Sequence, residues 1–213
     1  VITGASRGIG EATAYQLARP GRRLVLLARS EGDLRRVRRR VAKAGAVADY
    51  LTVDLASREQ VEQVLDALED GWERVDTLVL NAGTAQGQPF LRSEPEGVDY
   101  EFEVNFFAPT LFLRRLLRPM VERGAGRVAV VGSLTSILPF PGNATYAGSK
   151  AALQALVRSV RLELADSAVH IGLILPGFTS TTMTSQLSSI LPAMPPEEVA
   201  RAIEKSLEQR RGL

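Results

Sequence analysis

The sequence predicts a doubly wound α/β domain, one parallel sheet with helices on both faces. Three observations predict it. Short runs rich in Val, Leu and Ile alternate with longer helical patterns along nearly the whole chain, the pattern of βαβ units around a buried parallel sheet. A glycine-rich turn, Thr3-Gly4-Ala5-Ser6-Arg7-Gly8-Ile9-Gly10, joins the first apolar run to the first helical one. The chain of 213 residues, 45% apolar and 23% charged, is long enough to bury one large core, so residues 1–213 are expected to form a single domain.

The expected strands are Val1–Thr3, Leu24–Ala28, Tyr50–Val53, Thr77–Leu80, Arg127–Gly132 and Ile171–Leu175. Each is short and nearly continuous in apolar residues, because both faces of a parallel sheet are covered. The expected helices are Gly8–Arg19, Glu31–Ala44, Arg58–Asp70, Tyr100–Arg123 with a break near Pro109, Tyr146–Ala165 and Pro196–Gln209. Ser57 with Gln60 predicts a capping box on the third helix. In the second, Leu34, Val37 and Val41 fall at helical spacing, so Arg35, Arg36, Arg38, Arg39 and Arg40 read as a solvated face rather than a nucleic-acid footprint. The first run opens mid-strand and the last helical pattern runs out at Gly212, so a domain clipped at both ends is expected.

Composition removes whole classes of function. With no Cys, thiol nucleophiles, disulfides and cysteine-ligated metals are excluded, and a single His, His170, rules out a two-His zinc site, so no metal is expected. The net charge of +2 gives no case for a nucleic-acid partner, and no apolar run reaches the ~18 residues of a membrane span. A cytoplasmic location is the default expectation, since any leader or anchor would precede Val1.

In an open parallel sheet, ligands bind beyond the carboxyl ends of the strands, so the residues following each strand are where chemistry is sought. After the first, Gly4, Gly8, Ile9 and Gly10 bring backbone N–H groups at a helix start up to a pyrophosphate. After the second, a carboxylate would hold an adenosine ribose hydroxyl and repel a 2′-phosphate, but Arg29 and Ser30 stand there instead. Arg29 with Ser6 and Arg7 would surround that phosphate with two guanidinium groups and a hydroxyl, which favours NADP(H) over NAD(H). Asp54-Leu55 after the third strand and Asn81-Ala82-Gly83 after the fourth read as an adenine pocket and a sheet-bracing asparagine.

The strongest signal follows the fifth strand: Ser133, then Tyr146 thirteen residues on, then Lys150 one helical turn later. Tyr titrates near ~10 unperturbed. A neighbouring ammonium, aided by an oxidised nicotinamide, is expected to pull Tyr146 toward working pH and make it a general acid and base. Lys150 is one of three lysines among 26 basic residues, which suggests a task Arg would not perform equally well.

Together these residues resemble the short-chain dehydrogenase/reductase family, of the single-domain Rossmann-type, over essentially all 213 residues. Thr3 to Gly10 is similar to its cofactor turn, Asp54 to its adenine-contacting Asp, Asn81-Ala82-Gly83 to its strand-end motif, and Ser133, Tyr146 and Lys150 to its catalytic Ser and Tyr-x-x-x-Lys. Asn105 resembles the helix Asn that closes a proton relay, and Pro176-Gly177 with Thr179 and Thr181 resembles the segment near the nicotinamide carboxamide. The resemblance implies hydride transfer between NADP(H) and a carbonyl or secondary alcohol. Tyr146 would exchange the proton, Ser133 would hold the substrate oxygen, and Lys150 would hold ribose and lower the Tyr pKa.

Leu134, Ile137, Leu138, Phe140, Phe178 and Met183 flank this site and suggest an apolar substrate such as a ketone or 3-oxoacyl chain, though core or oligomer contacts fit them equally. Thr181 to Pro196 reads as a mobile lid. Two other functions stay open. Gly4-Ala5-Ser6-Arg7-Gly8 also fits the nucleophile elbow of a serine hydrolase, with His170 as the sole candidate base, and a dinucleotide-binding regulator without turnover would carry the same turn. The apolar content of Pro109–Arg123 and Tyr146–Ala165 suggests a homodimer or homotetramer.

Overall fold

Every apolar strand run is covered on both faces by helices, and the strand pairing that achieves this is parallel throughout. The computed structural model describes residues 1–71, 74–181 and 193–209. Along the chain run β1 (Ile2–Thr3), α1 (Gly8–Leu17), β2 (Arg23–Ala28), α2 (Glu31–Lys43), β3 (Val47–Thr52), α3 (Arg58–Gly71), β4 (Thr77–Leu80), α4 (Pro95–Phe102), α5 (Ala108–Glu122), β5 (Gly126–Val131), α6 (Ala144–Glu163), β6 (Val169–Ile174) and α7 (Pro196–Glu208). The strand order is β3-β2-β1-β4-β5-β6. The chain therefore winds outward from β1, returns beside it at β4 and winds outward on the other side, and this reversal is where a cleft opens.

The alternation within β2 shows how both faces are filled. Val25 and Leu27 join one apolar cluster with Leu65 of α3, Phe112 of α5 and Leu153 of α6, whereas Leu24 and Leu26 join a second with Ala14 of α1, Leu34 of α2 and Ile203 of α7. The arginine-rich helix behaves as its spacing predicts. Leu34, Val37 and Val41 are fully buried, while Arg35 pairs with Glu31, Arg36 with Glu11, Arg38 donates to the Ala48 carbonyl and Arg40 lies 4.1 Å from the Tyr15 ring centroid. No helix among the described residues is long and apolar enough to cross a membrane.

Three local expectations need correction. β3 begins at Val47 rather than Tyr50, because on this edge strand Asp49 is held by Arg23 of β2 and the exposed Val47 is still paired. Ser57 accepts from the Gln60 N–H, but the Gln60 side chain accepts from the Asp54 N–H instead of returning to Ser57, so half of the capping box is diverted to the turn before it. The helical pattern over Tyr100–Arg123 starts earlier, at Pro95, while its break near Pro109 takes the form of a π-helical turn, Glu103–Phe107. Pro109 is the physical reason for the break. It has no N–H to give the Asn105 carbonyl and its ring would crowd that group, so the chain widens one turn earlier, with the Ala108 N–H reaching Glu103.

Candidate active site

A cleft of about 640 Å³ opens over the carboxyl edge of the sheet. It is lined by Gly4, Ser6, Arg7, Gly8 and Ile9 after β1, Arg29 and Ser30 after β2, Asp54 and Leu55 after β3, and Asn81, Ala82 and Gly83 after β4. Ser133, Tyr146, Lys150, Pro176, Gly177, Thr179 and Thr181 complete the wall. Of the positions singled out in the sequence, Gly10 and Asn105 stand behind it.

Gly4 takes φ +66°, a left-handed conformation, and a Cβ on Gly10 would lie 2.1 Å from the Gly4 carbonyl oxygen, so the turn and helix α1 touch backbone to backbone. Asn81 braces the same turn by donating to the Thr3 carbonyl at 3.1 Å, while the Thr3 hydroxyl accepts from the Asn81 and Ala82 N–H groups. The N-cap of α1, Arg7, makes no side-chain cap bond. The N–H groups of the first turn, with Gly8 and Ile9 on the cleft wall, are left to an anion. Ser30 caps α2 by accepting from the Asp33 N–H, and Asp54 accepts from the Ala56 N–H. Arg29 donates to the Tyr100 hydroxyl across the cleft. Arg36, which the sequence reading assigned only to a solvated face, donates to the Ser6 carbonyl at 3.0 Å and adds a further cation beside the turn.

At the other end of the cleft, Ser133 accepts from both the N–H and the hydroxyl of Thr135, so its own hydrogen stays available in the cleft that Tyr146 also lines. Lys150 Nζ lies 5.9 Å from the Tyr146 ring centroid and donates to the Val131 carbonyl at 3.1 Å. A Cβ on Gly83 would sit 3.2 Å from Lys150 Nζ and 3.3 Å from Asn105 Oδ1, so three segments meet closely at this glycine. Asn105, fully buried in the π turn, accepts from the Thr84 N–H and donates to the Thr84 carbonyl and the Ser149 hydroxyl.

The electrostatics differ from expectation at one point. Burial raises the Tyr146 pKa above its ordinary value, Ser133 opposes this and the Glu101 charge adds to it. Burial also lowers Lys150 to about 8. The lysine has therefore lost its proton before the tyrosine titrates, and a neutral amine exerts no pull on a phenol. In the chain by itself, Lys150 does not lower the Tyr pKa.

A profile of the short chain dehydrogenase family matches residues 1–191. The chain belongs to that family. A 3-oxoacyl-(acyl-carrier-protein) reductase of Synechocystis sp. is 32% identical over 212 residues, covering 95% of this dehydrogenase and 86% of the relative. Among solved structures, a short-chain dehydrogenase from Sphingobium yanoikuyae in complex with NADPH superposes with a TM-score of 0.88 at 30% identity, covering 94% of this chain and 80% of that one. An alcohol dehydrogenase from the archaeon Thermococcus sibiricus, complexed with 5-hydroxy-NADP, does so with a TM-score of 0.88 at 29% identity, covering 100% and 91%.

Other expectations for the dehydrogenase separate in space. Leu134, Ile137 and Leu138 are exposed beside the cleft rather than lining it, and Phe140 packs on Phe178 at 5.6 Å. Met183 and most of the expected lid lie outside the described residues, although Thr179 and Met194, on either side of that stretch, are bridged. His170 is near the amino end of β6 and Ser6 follows the carboxyl end of β1, so the parallel sheet holds the pair required for hydrolysis at opposite edges. The sequence reading missed Thr84, Glu101, Thr145 and Ser149. Their signal was faint, being only that Glu101 and Asn105, like Thr145 and Ser149, are four residues apart on helices.

Proposed function

We propose that this oxidoreductase reduces a carbonyl compound with NADPH, with Tyr146 as proton donor. The observation that carries this reading is that Ser133, Tyr146 and Lys150 line the same cleft as the glycine turn, with Lys150 Nζ 5.9 Å from the Tyr146 ring centroid. The residues present suit a phosphorylated dinucleotide. The uncapped start of α1 can hold a pyrophosphate, and Arg7, Arg29 and the nearby Arg36 supply positive charge at the expected place of a 2′-phosphate. The NADPH and 5-hydroxy-NADP in the two structural neighbours support the same preference. When bound, the nicotinamide supplies the hydride.

The chain's own groups move the proton and hold the oxygen. At pH 7 the Tyr146 phenol is protonated, because burial raises it, and Lys150 is largely charged, because its pKa is about 8. The site thus holds protons ready to give, which favours reduction. Tyr146 Oη donates to the substrate oxygen while Ser133, whose lone pairs are engaged by Thr135, donates to that oxygen as charge develops. Lys150 would hold ribose hydroxyls and return a proton to the phenol, and Asn105 would hold the water that links the lysine to solvent. A 3-oxoacyl-type substrate is proposed, on the resemblance to the Synechocystis reductase and the exposed Leu134, Ile137 and Leu138 beside the cleft.

The test is NADPH consumption across ketones, aldehydes and 3-oxoacyl thioesters. Turnover of at least one class is expected, and binding of NADPH without turnover of any would leave a regulator in place of an enzyme. Arg29→Glu is expected to reduce the NADPH-to-NADH preference by about 10 to 100-fold, the worth of a charge-assisted hydrogen bond. An unchanged ratio in competitive binding would remove Arg29 from the 2′-phosphate site.

Self-association through α5 and α6 is part of the proposal, since Phe107, Val121 and Leu162 are exposed there, Leu162 by 78%. Leu162→Glu is expected to shift the sedimentation coefficient toward the monomer. No shift would place the interface elsewhere. A cytoplasmic site of action is proposed with it, and cell fractionation tests it.

A further inference from the structure

Two hydrogen-bonded rungs join the same three segments, one helical turn apart. In the first, Asn105 holds Thr84 by both backbone groups and reaches Ser149. In the second, Glu101 accepts from the Gln86 N–H with one carboxylate oxygen and from the Thr145 hydroxyl with the other. Glu101 precedes Asn105 by four residues and Thr145 precedes Ser149 by four, so the rungs run parallel across the contact of α4 and the π turn with α6. Gln86 is seated for this bond, because its side chain lies where a Cβ on Gly97 would be, 1.9 Å from Nε2.

The second rung is built from a carboxylate that is 1% exposed, and no cation forms an ion pair with it among the described residues. A glutamine could span the same two partners without the cost of burying a charge, so the charge is the feature that needs a use. Thr145 is adjacent to the proposed proton donor. We propose that Glu101 is a positioning residue for Tyr146, its carboxylate fixing the start of α6 through Thr145 and placing a negative charge beside the helix that carries the phenol.

Burial raises the Tyr146 pKa, Ser133 opposes it, and the Glu101 charge adds to the rise. The charged groups facing the phenol are Lys150 on its own helix and Glu101 on α4, with Arg7, Arg29, Asp33 and Asp54 along the rest of the cleft. Lys150, at about 8, is neutral in the range where the phenol titrates, which leaves Glu101 as the near charge that acts there. The inference rests on the reading of Tyr146 as proton donor.

The test uses Glu101→Gln and Thr145→Val in the full chain, with ¹³C-labelled tyrosine observed by NMR. The chain has 4 Tyr, and Tyr146→Phe assigns the relevant signal. In Glu101→Gln the Tyr146 signal is expected to titrate at lower pH than in the parent. NADPH affinity should stay within about twofold, because no contact in the cleft wall changes. Thr145→Val cuts the rung from the other side and keeps the carboxylate; it is expected to lower kcat about tenfold with KM unchanged. An unmoved Tyr146 titration in Glu101→Gln, or a parental kcat in Thr145→Val, overturns the proposal, and Thr145→Val carries the test if Glu101→Gln does not fold. A parent that binds NADPH but turns over none of the ketones, aldehydes and thioesters defeats the reductase reading instead, and the titration still decides whether Glu101 acts on the phenol.

Discussion

Tyr146→Phe is expected to cut kcat by about 10² to 10⁴-fold, the usual worth of a positioned general acid, while NADPH binds as tightly as before. The substitution removes one oxygen and leaves the ring, so the Lys150 amine 5.9 Å from the ring centroid and the Val131 carbonyl it donates to keep their places. Ser133 keeps both bonds from Thr135 and still has a hydrogen for the substrate oxygen. The loss therefore falls on proton transfer and not on binding. Stopped-flow fluorescence of NADPH and steady-state turnover on the same preparation separate the two. Substantial residual reduction by the variant would sink the assignment of Tyr146, whereas a joint loss of binding and turnover would place the residue in the cofactor site only.

Lys150→Met is expected to abolish measurable turnover and, without added cofactor, to make the protein more stable at neutral pH. Burial holds the Lys150 pKa at about 8 against an ordinary 10.5. Between those values the unfolded chain binds more protons than the folded one, so stability rises as pH rises. The cost of the buried charge is fully present below about pH 8 and gone above 10.5. Tyr146 runs the other way, since its raised pKa makes stability fall above its ordinary 10, and the informative window is pH 8 to 10. The shift is worth about 3 kcal/mol, from which roughly 1 is lost with the hydrogen bond to Val131, so the variant should gain about 2 kcal/mol at pH 7. Urea unfolding of parent and variant at pH 7 and pH 9.5 checks this. A flat parental stability across the window, or a variant less stable at pH 7, would show that the lysine charge is compensated in the fold.

Much of the architecture was legible because its causes are local. Continuous Val, Leu and Ile runs can only be strands covered on both sides, and Thr77–Leu80 was placed to the residue. The turn from Thr3 to Gly10 was legible for the same reason, since a Cβ at Gly10 has no room whatever surrounds the domain. Misreadings came where distant groups decide. The first half of β3 was missed, since Val47 to Asp49 pair with β2 and Asp49 is held by Arg23 of that strand. Pro109 marked the widened turn before it, but not that Asn105 within that turn finds partners in Thr84 and Ser149 from two other segments. The apolar residues around Leu134 fitted a pocket wall and core or oligomer contacts equally, and Leu134, Ile137 and Leu138 stand exposed beside the cleft, after the bond from the Leu134 N–H to the Pro176 carbonyl.

By itself the sequence determined the strand and helix pattern, the glycine turn at its edge, the basic residues where a carboxylate would exclude a phosphate, and the Ser133, Tyr146 and Lys150 spacing. These follow from backbone sterics and from periodicity, which act over a few residues. Only the tertiary structure decided the protonation balance of the site. The depth at which Lys150 and Tyr146 are buried, and the Glu101 charge set next to the phenol by the α4–α6 contact, are properties of packing between segments far apart in the chain. Desolvation and charge–charge interaction depend on distance in space, and the sequence carries no record of that distance.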